Sequence, residues 1–155
     1  IDNALKINNK MPKYISNSLQ NSIKKLGLKK SILVSGLSYK SNVEDMRDSA
    51  SFKVINELVS SGYQVFGYDP FFREEIIKKY LIENNLNEIN FELVDNLNDS
   101  ILERISCICI VQHHDITFEQ INEIYKKSKV PLIYDCQNKI KNDSNSKTIL
   151  DCLGN

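Results

Sequence analysis

Apolar residues recur along this chain in two rhythms. In the first stretch Ala4, Leu5, Met11, Ile15, Leu19, Ile23 and Leu26 fall mostly at helical spacing, which predicts a leading helix that ends near Gly27. Pro12 should break or kink it, because proline removes a backbone donor. Beyond Gly27 the rhythm shortens. Five runs rich in β-branched and aromatic residues, 31–37, 63–69, 91–94, 107–112 and 131–136, predict strands. Amphipathic stretches separate them. Phe52, Ile55, Leu58 and Val59 share one helical face, and Ile76, Ile77, Tyr80 and Leu81 share another. After the fourth run, Thr117 and Gln120 have capping-box spacing and lead into Phe118, Ile121, Ile124 and Tyr125. A weaker helix is expected over 97–104. Strand and helix in alternation predict an α/β fold: an open, mainly parallel sheet of about five strands with flanking helices and right-handed crossovers. The segment after Asn138 is rich in Asn, Asp, Ser and Lys and reads as irregular until Ile149 and Leu150.

At 155 residues the chain is long enough for one substantial core. Its 20 basic and 20 acidic side chains cancel and are scattered, so no electrostatic footprint for nucleic acid or an anionic membrane is present. An anionic ligand would have to be held by local groups. The apolar runs are too short to span a bilayer, and the start Ile1-Asp2-Asn3-Ala4 lacks a signal-peptide layout, which points to a cytoplasmic protein. No methionine opens the chain and its first residues already read as helix, so we expect a piece of something longer. Cys107, Cys109, Cys136 and Cys152 lack a paired C-x-x-C spacing and read as reduced thiols. Cys107 and Cys109 share a strand face near His113 and His114, which leaves a metal site as the alternative to a buried strand.

In open parallel sheets ligands gather beyond the carboxyl ends of the strands. The loop after the first run, residues 36–49, contains neither the G-x-G-x-x-G fingerprint nor the G-x-x-x-x-G-K-[ST] phosphate loop. It offers Lys40, Arg47 and a helix start near Asp48 or Ser49, whose free N–H groups favour an anion. A compact ammonium beside a forked guanidinium suits a diphosphate. The other reading pairs Arg47 with Glu44, Asp45 or Asp48 and leaves Lys40 as a solvated charge. Asp69 at the end of the second run is either a ribose clasp or, as we expect in the absence of the glycine fingerprint, a capping or turn residue. His113 and His114 either touch ligand or cap the next helix.

The segment Gly36-Leu37-Ser38-Tyr39-Lys40-Ser41-Asn42-Val43-Glu44-Asp45-Met46-Arg47-Asp48-Ser49, followed by Gly62-Tyr63-Gln64-Val65-Phe66-Gly67-Tyr68-Asp69-Pro70, resembles the C-terminal domain of the UDP-glucose/GDP-mannose dehydrogenase family. There the pattern reads G-[LF]-[AS]-[YF]-K-x-[ND]-x-x-D-x-R-x-S and then G-x-x-V-x-x-Y-D-P. The resemblance implies a Rossmann-like UDP-sugar-binding domain over 28–155. Residues 1–27 would be the end of a central helix that joins two domains and forms a homodimer. It implies an enzyme that oxidises the C6 alcohol of a UDP-sugar, such as UDP-glucose or a UDP-N-acetylhexosamine, to the carboxylate with two NAD. Tyr39 and Lys40 would line the sugar-nucleotide side of the cleft, and Arg47 would reach the cofactor pyrophosphate. The family's catalytic cysteine and cofactor loop would lie upstream of Ile1, so no catalytic residue is assigned and this chain alone is expected to be inactive. Where the family shows D-x-R-N, this chain has Asp135-Cys136-Gln137-Asn138, which puts Gln137 at the position of a nucleotide-binding arginine. A stand-alone receiver-like domain is the alternative; it would want acids at the end of the first strand, and Ser35-Gly36-Leu37 has none.

Overall fold

The apolar rhythm becomes an alternation of strands and helices in the computed structural model. It describes residues 2–38, 40–42, 49–72, 74–83 and 90–153, without the side chains of residues 2–9 and 80. In chain order the elements are α1 (Asp2–Leu26), β1 (Ser31–Ser35), α2 (Ala50–Ser60), β2 (Gln64–Tyr68), α3 (Glu74–Glu83), β3 (Phe91–Leu93), α4 (Asp99–Leu102), β4 (Cys107–Ile110), α5 (Asp115–Lys126), β5 (Leu132–Asp135) and β6 (Ile149–Cys152). The six strands form one sheet in the order β3-β2-β1-β4-β5-β6. Every neighbouring pair is parallel.

Register and the two-residue period of a strand divide the core in two. Leu33 lies opposite Phe66 and Ile108, and Ile108 opposite Ile133. This row packs with Ile101 and Leu102 of α4 and Ile121, Ile124 and Tyr125 of α5. The alternate row, Ile32, Val65, Cys107 and Leu132, packs with Ile15, Leu19 and Ile23 of α1, with Phe52, Ile55 and Leu58 of α2, and with Ile77 and Leu81 of α3. Both faces are therefore covered, which is why the strands read as nearly continuous apolar runs.

Three local expectations are corrected, and for Pro12 the break is set aside. Helix α1 runs through Pro12 without ending there; downstream, Ile15, Leu19 and Ile23 are buried in the core, and that packing maintains the helix despite one missing donor. It stops at Gly27 as expected, where Leu28 N–H reaches Ile23 O and Gly27 N–H reaches Lys24 O, the paired bonds of a Schellman turn. Helix α5 begins at Asp115, with His114 at the N-cap, so Thr117 lies inside the first turn and the capping box does not form. Helix α4 is a single turn of four residues, shorter than 97–104. The sheet has a sixth strand. Its polar approach is tied to α5 and to the connection that follows it: Asp143 N–H donates to Tyr125 Oη at 2.9 Å, Ser146 Oγ donates to Tyr125 O at 2.5 Å, and Thr148 Oγ1 donates to Val130 O at 2.6 Å. Polar composition marked this segment as irregular until Ile149, which it is, and these hydrogen bonds fasten it to the domain.

Among the described residues no helix is long and apolar enough to cross a membrane, and no group of three or more His, Cys, Asp or Glu is placed to hold a metal ion. All four cysteines are free. Cys107 and Cys109 are wholly buried in β4. Burial pushes the Cys107 thiol up. A hydrogen bond with Cys136, together with burial, pushes Cys109 well above the usual thiol range. Thiolate is the reactive form. Iodoacetamide added to the native protein should therefore modify the half-buried Cys136 and Cys152 first and reach Cys107 and Cys109 only after denaturation, as read by peptide mass spectrometry. Early labelling at Cys107 would contradict the buried strand.

Candidate functional site

The strand order reverses between β1 and β4. From β1 the chain leaves toward α2 on one face, and from β4 it leaves toward α5 on the other. Divergent exits open a crevice at the carboxyl ends of these strands, the usual ligand position in such sheets. The backbones come very close there. Gly36, just past β1, has φ +87°, and a Cβ placed on it would lie 1.9 Å from the carbonyl oxygen of Gln112 just past β4. Only glycine fits both the torsion and the space. Its N–H bonds Tyr68 O at 3.0 Å, and its carbonyl accepts from Ser51 Oγ at the start of α2.

Two buried carboxylate–histidine pairs stand on this rim. Asp69, at the end of β2, accepts Phe71 N–H on Oδ1 at 2.9 Å, which makes the expected turn. Its Oδ2 accepts Leu37 N–H from the β1 loop at 2.8 Å and lies 2.8 Å from His114 Nε2. The side chains of Asp69 and His114 are both 0% exposed. Asn42 N–H donates to His114 Nδ1 at 2.7 Å, so the ring proton sits on Nε2 and is donated to Asp69, with Ser38 Oγ 3.1 Å from the same nitrogen. The second pair joins β4 to β5. His113 Nε2 lies 2.9 Å from Asp135 Oδ1. Asp135 also accepts the N–H groups of Gln137, Lys139 and Ile140 at 3.0, 2.8 and 2.9 Å. Burial alone would raise the Asp135 carboxyl, but the His113 bond and the Ile140 and Gln137 amides outweigh it and hold it below the usual carboxylate range. His113 Nδ1 is buried with no hydrogen-bond partner among the described residues.

Of the sequence-derived candidates, Lys40 lies exposed on the β1 loop, its carbonyl bonded by Ser38 Oγ at 2.8 Å. Gln137 is half-buried beyond β5, and its Oε1 accepts His113 N–H at 2.9 Å. On the opposite side of the same residue, Ser41 Oγ donates to His113 O at 2.6 Å. His113 thus stands between the Lys40 loop and Gln137. Tyr39 and Arg47, with Glu44, Asp45 and Asp48, lie outside the described residues. Helix α2 begins at Ala50 with Ser49 as its cap. His114 occupies the N-cap of α5 without a side-chain cap bond; the cap comes from the neighbouring loop, where Asn42 Oδ1 accepts Asp115 N–H at 2.9 Å. Beside the rim is a cleft of about 480 Å³ lined by Ser41, His113, His114, Phe118 and Lys139, among others. A cleft of about 720 Å³ between α1 and α2 contains no rim residue.

Neither pair was read from the sequence. The only signals were an acid ending the second and fifth runs and two histidines ending the fourth, and nothing local says which acid meets which histidine.

Residues 33–142 match the UDP-binding domain of the UDP-glucose/GDP-mannose dehydrogenase family. The chain belongs to that family. A UDP-N-acetyl-D-mannosamine dehydrogenase of Methanococcus vannielii is 34% identical over 142 residues, 89% of this chain and 30% of that protein. A UDP-glucose 6-dehydrogenase of Rhizobium meliloti is 28% identical over 116 residues, 75% of this chain and 25% of that enzyme. This family domain also shares its fold with the solved UDP-D-ManNAc dehydrogenase of Pyrococcus horikoshii, at a TM-score of 0.69 and 22% identity, covering 96% of this chain and 32% of that one. The chain therefore spans about 30% of the length of the methanogen relative, and the matched region contains the whole rim from β1 to the Asp135 turn.

Proposed function

We propose that this chain is the nucleotide-sugar side of an NAD-dependent UDP-sugar 6-dehydrogenase. The observation that carries the reading is the placement of Lys40, held on a loop across the crevice between β1 and β4 within the region that matches the family's UDP-binding domain. An ammonium there can take the charge of a diphosphate. The family pattern assigns Tyr39 to the sugar nucleotide, and Gln137 offers an amide where the family has an arginine. The same pattern assigns Arg47 to the cofactor's pyrophosphate. In the complete enzyme two NAD would take up the two hydrides as the C6 alcohol is oxidised through the aldehyde to the carboxylate, with one water supplying the second oxygen. The nucleophile for that step is none of the four cysteines here, two of which are held protonated in the core. UDP-N-acetyl-D-mannosamine is the better supported sugar nucleotide, because it is the substrate in the name of the relative that is 34% identical. Residues 1–27 are the end of a joining helix through which the complete enzyme dimerises, residues 28–155 are the UDP-sugar domain, and the setting is the cytoplasm. A receiver-like role is disfavoured because the Asp69 carboxylate is taken up by two backbone amides and His114.

Calorimetric titration of UDP into the 155-residue chain tests the site. Binding should be measurable, and Lys40→Ala should weaken it by roughly 10- to 100-fold, the worth of a charge-assisted hydrogen bond. Equal affinity in wild type and variant, or no binding by the wild type, would refute the reading. The same chain should reduce no NAD when given UDP-N-acetylmannosamine.

A further inference from the structure

We propose that Asp69 and His114 act as positioning residues for the nucleotide, clamping the loop that carries Lys40 across the rim of the sheet; this rests on the UDP-binding reading above. Three separate chain segments meet at the pair. Asp69 comes from the end of β2, His114 from the end of β4, and the groups they hold, Leu37 N–H, Ser38 Oγ and Asn42 N–H, all belong to the loop leaving β1. Lys40 sits between these anchor points, two residues from Ser38 and two from Asn42.

The chemistry of the clamp explains why its parts are Asp and His. The carboxylate accepts three donors at once, and the imidazole donates from one nitrogen while accepting at the other. An imidazole in this tautomer is the link that can join an acid to a backbone N–H. Both ring nitrogens are used and the side chain is 0% exposed, so His114 can act on a ligand only through its neighbours. The Phe71 ring meets it edge-on with centroids 4.7 Å apart, and the Asp69 turn that carries Phe71 is itself bonded to the same carboxylate. On the far side the loop is fastened again. Asn42 takes up a left-handed conformation, φ 59°, and its Oδ1 holds Asp115 N–H at the first turn of α5, while Ser41 Oγ holds His113 O. A loop fastened through five polar groups on Leu37, Ser38, Ser41 and Asn42 presents its lysine in one place, which lowers the ordering cost that a bound anion would otherwise meet.

If the pair served stability alone, its loss would weaken the protein without regard to Lys40. If it positions Lys40, its loss should matter to UDP only when the lysine is present. The test is a double-mutant cycle on the 155-residue chain: wild type, His114→Ala, Lys40→Ala and the double variant, each titrated with UDP below its melting temperature. His114→Ala should weaken UDP about tenfold with Lys40 in place and less than about twofold in the Lys40→Ala background, a coupling of the size found for groups acting as a unit. Additive losses, or an unchanged affinity in His114→Ala, would overturn the clamp while leaving the UDP site standing. Absence of UDP binding in the wild type would remove both. A second cycle with Asn42→Gly covers failure of the buried variant to fold, since glycine accepts the same φ and loses only the bond to Asp115 N–H. It should show the same dependence on Lys40 at about threefold.

Discussion

Gly36→Ala should cost about 3–5 kcal/mol or more, a large part of the ~5–15 kcal/mol that holds a domain of this size folded. Two penalties coincide. At φ +87° an L side chain is strained, and its Cβ would stand 1.9 Å from the backbone oxygen of Gln112, which no rotamer change can relieve. Relief requires β1 and β4 to move apart at their carboxyl ends, and there Val111 N–H is bonded to Ser35 O at 3.0 Å. With a slope of ~2 kcal/mol per molar, urea unfolding followed by circular dichroism should show the midpoint falling by about 2 M. A midpoint within the scatter of the wild type would mean that the strands do not approach as described. Because the same residue forms the floor of the crevice, UDP binding should fall together with stability.

Asp135→Asn should be nearly as damaging, at about 3–5 kcal/mol, the usual cost of breaking a buried, hydrogen-bonded pair by removing one charge. The carboxylate accepts from His113 and from three backbone amides. An amide keeps one accepting oxygen and turns an NH₂ toward donors, so at least one N–H at the end of β5 is left facing another. The effect has a defined pH course. The folded carboxyl is held below its ordinary value, so its contribution is fully present above the unfolded value of about 3.9 and is lost as pH falls through the lower folded value. The stability gap between wild type and Asp135→Asn should therefore be constant near neutrality and narrow below about pH 4. Urea midpoints measured from pH 3 to 7 read this directly. A gap that widens in acid would show that the carboxylate is not the stabilised form.

Much of the architecture was legible because burial is periodic. Leu33, Phe66, Ile108 and Ile133 alternate with Ile32, Val65, Cys107 and Leu132, and such alternation with helical stretches between allows few topologies. The misreadings fall where a polar side chain does a job that composition cannot express. Thr117 looked like a cap, but Asn42, from another loop, caps α5. The segment before β6 is irregular as its polarity suggests, but composition does not show that Tyr125 and Val130 fasten it. Of the break or kink expected at Pro12, the break does not occur, because packing downstream carries the helix past it.

The linear sequence determined the strand and helix faces, the special loop 36–49 and the family to which that loop belongs, since these depend on local spacing and on residue types in order. The tertiary structure alone decided that Asp69 meets His114 across 45 positions and that Asp135 meets His113 across 22. Those partnerships follow from strand order. Seating β1 between β2 and β4 brings three strand ends to one rim, where buried acids and imidazoles must find partners because leaving either unpaired in the interior costs more than any local preference can offset.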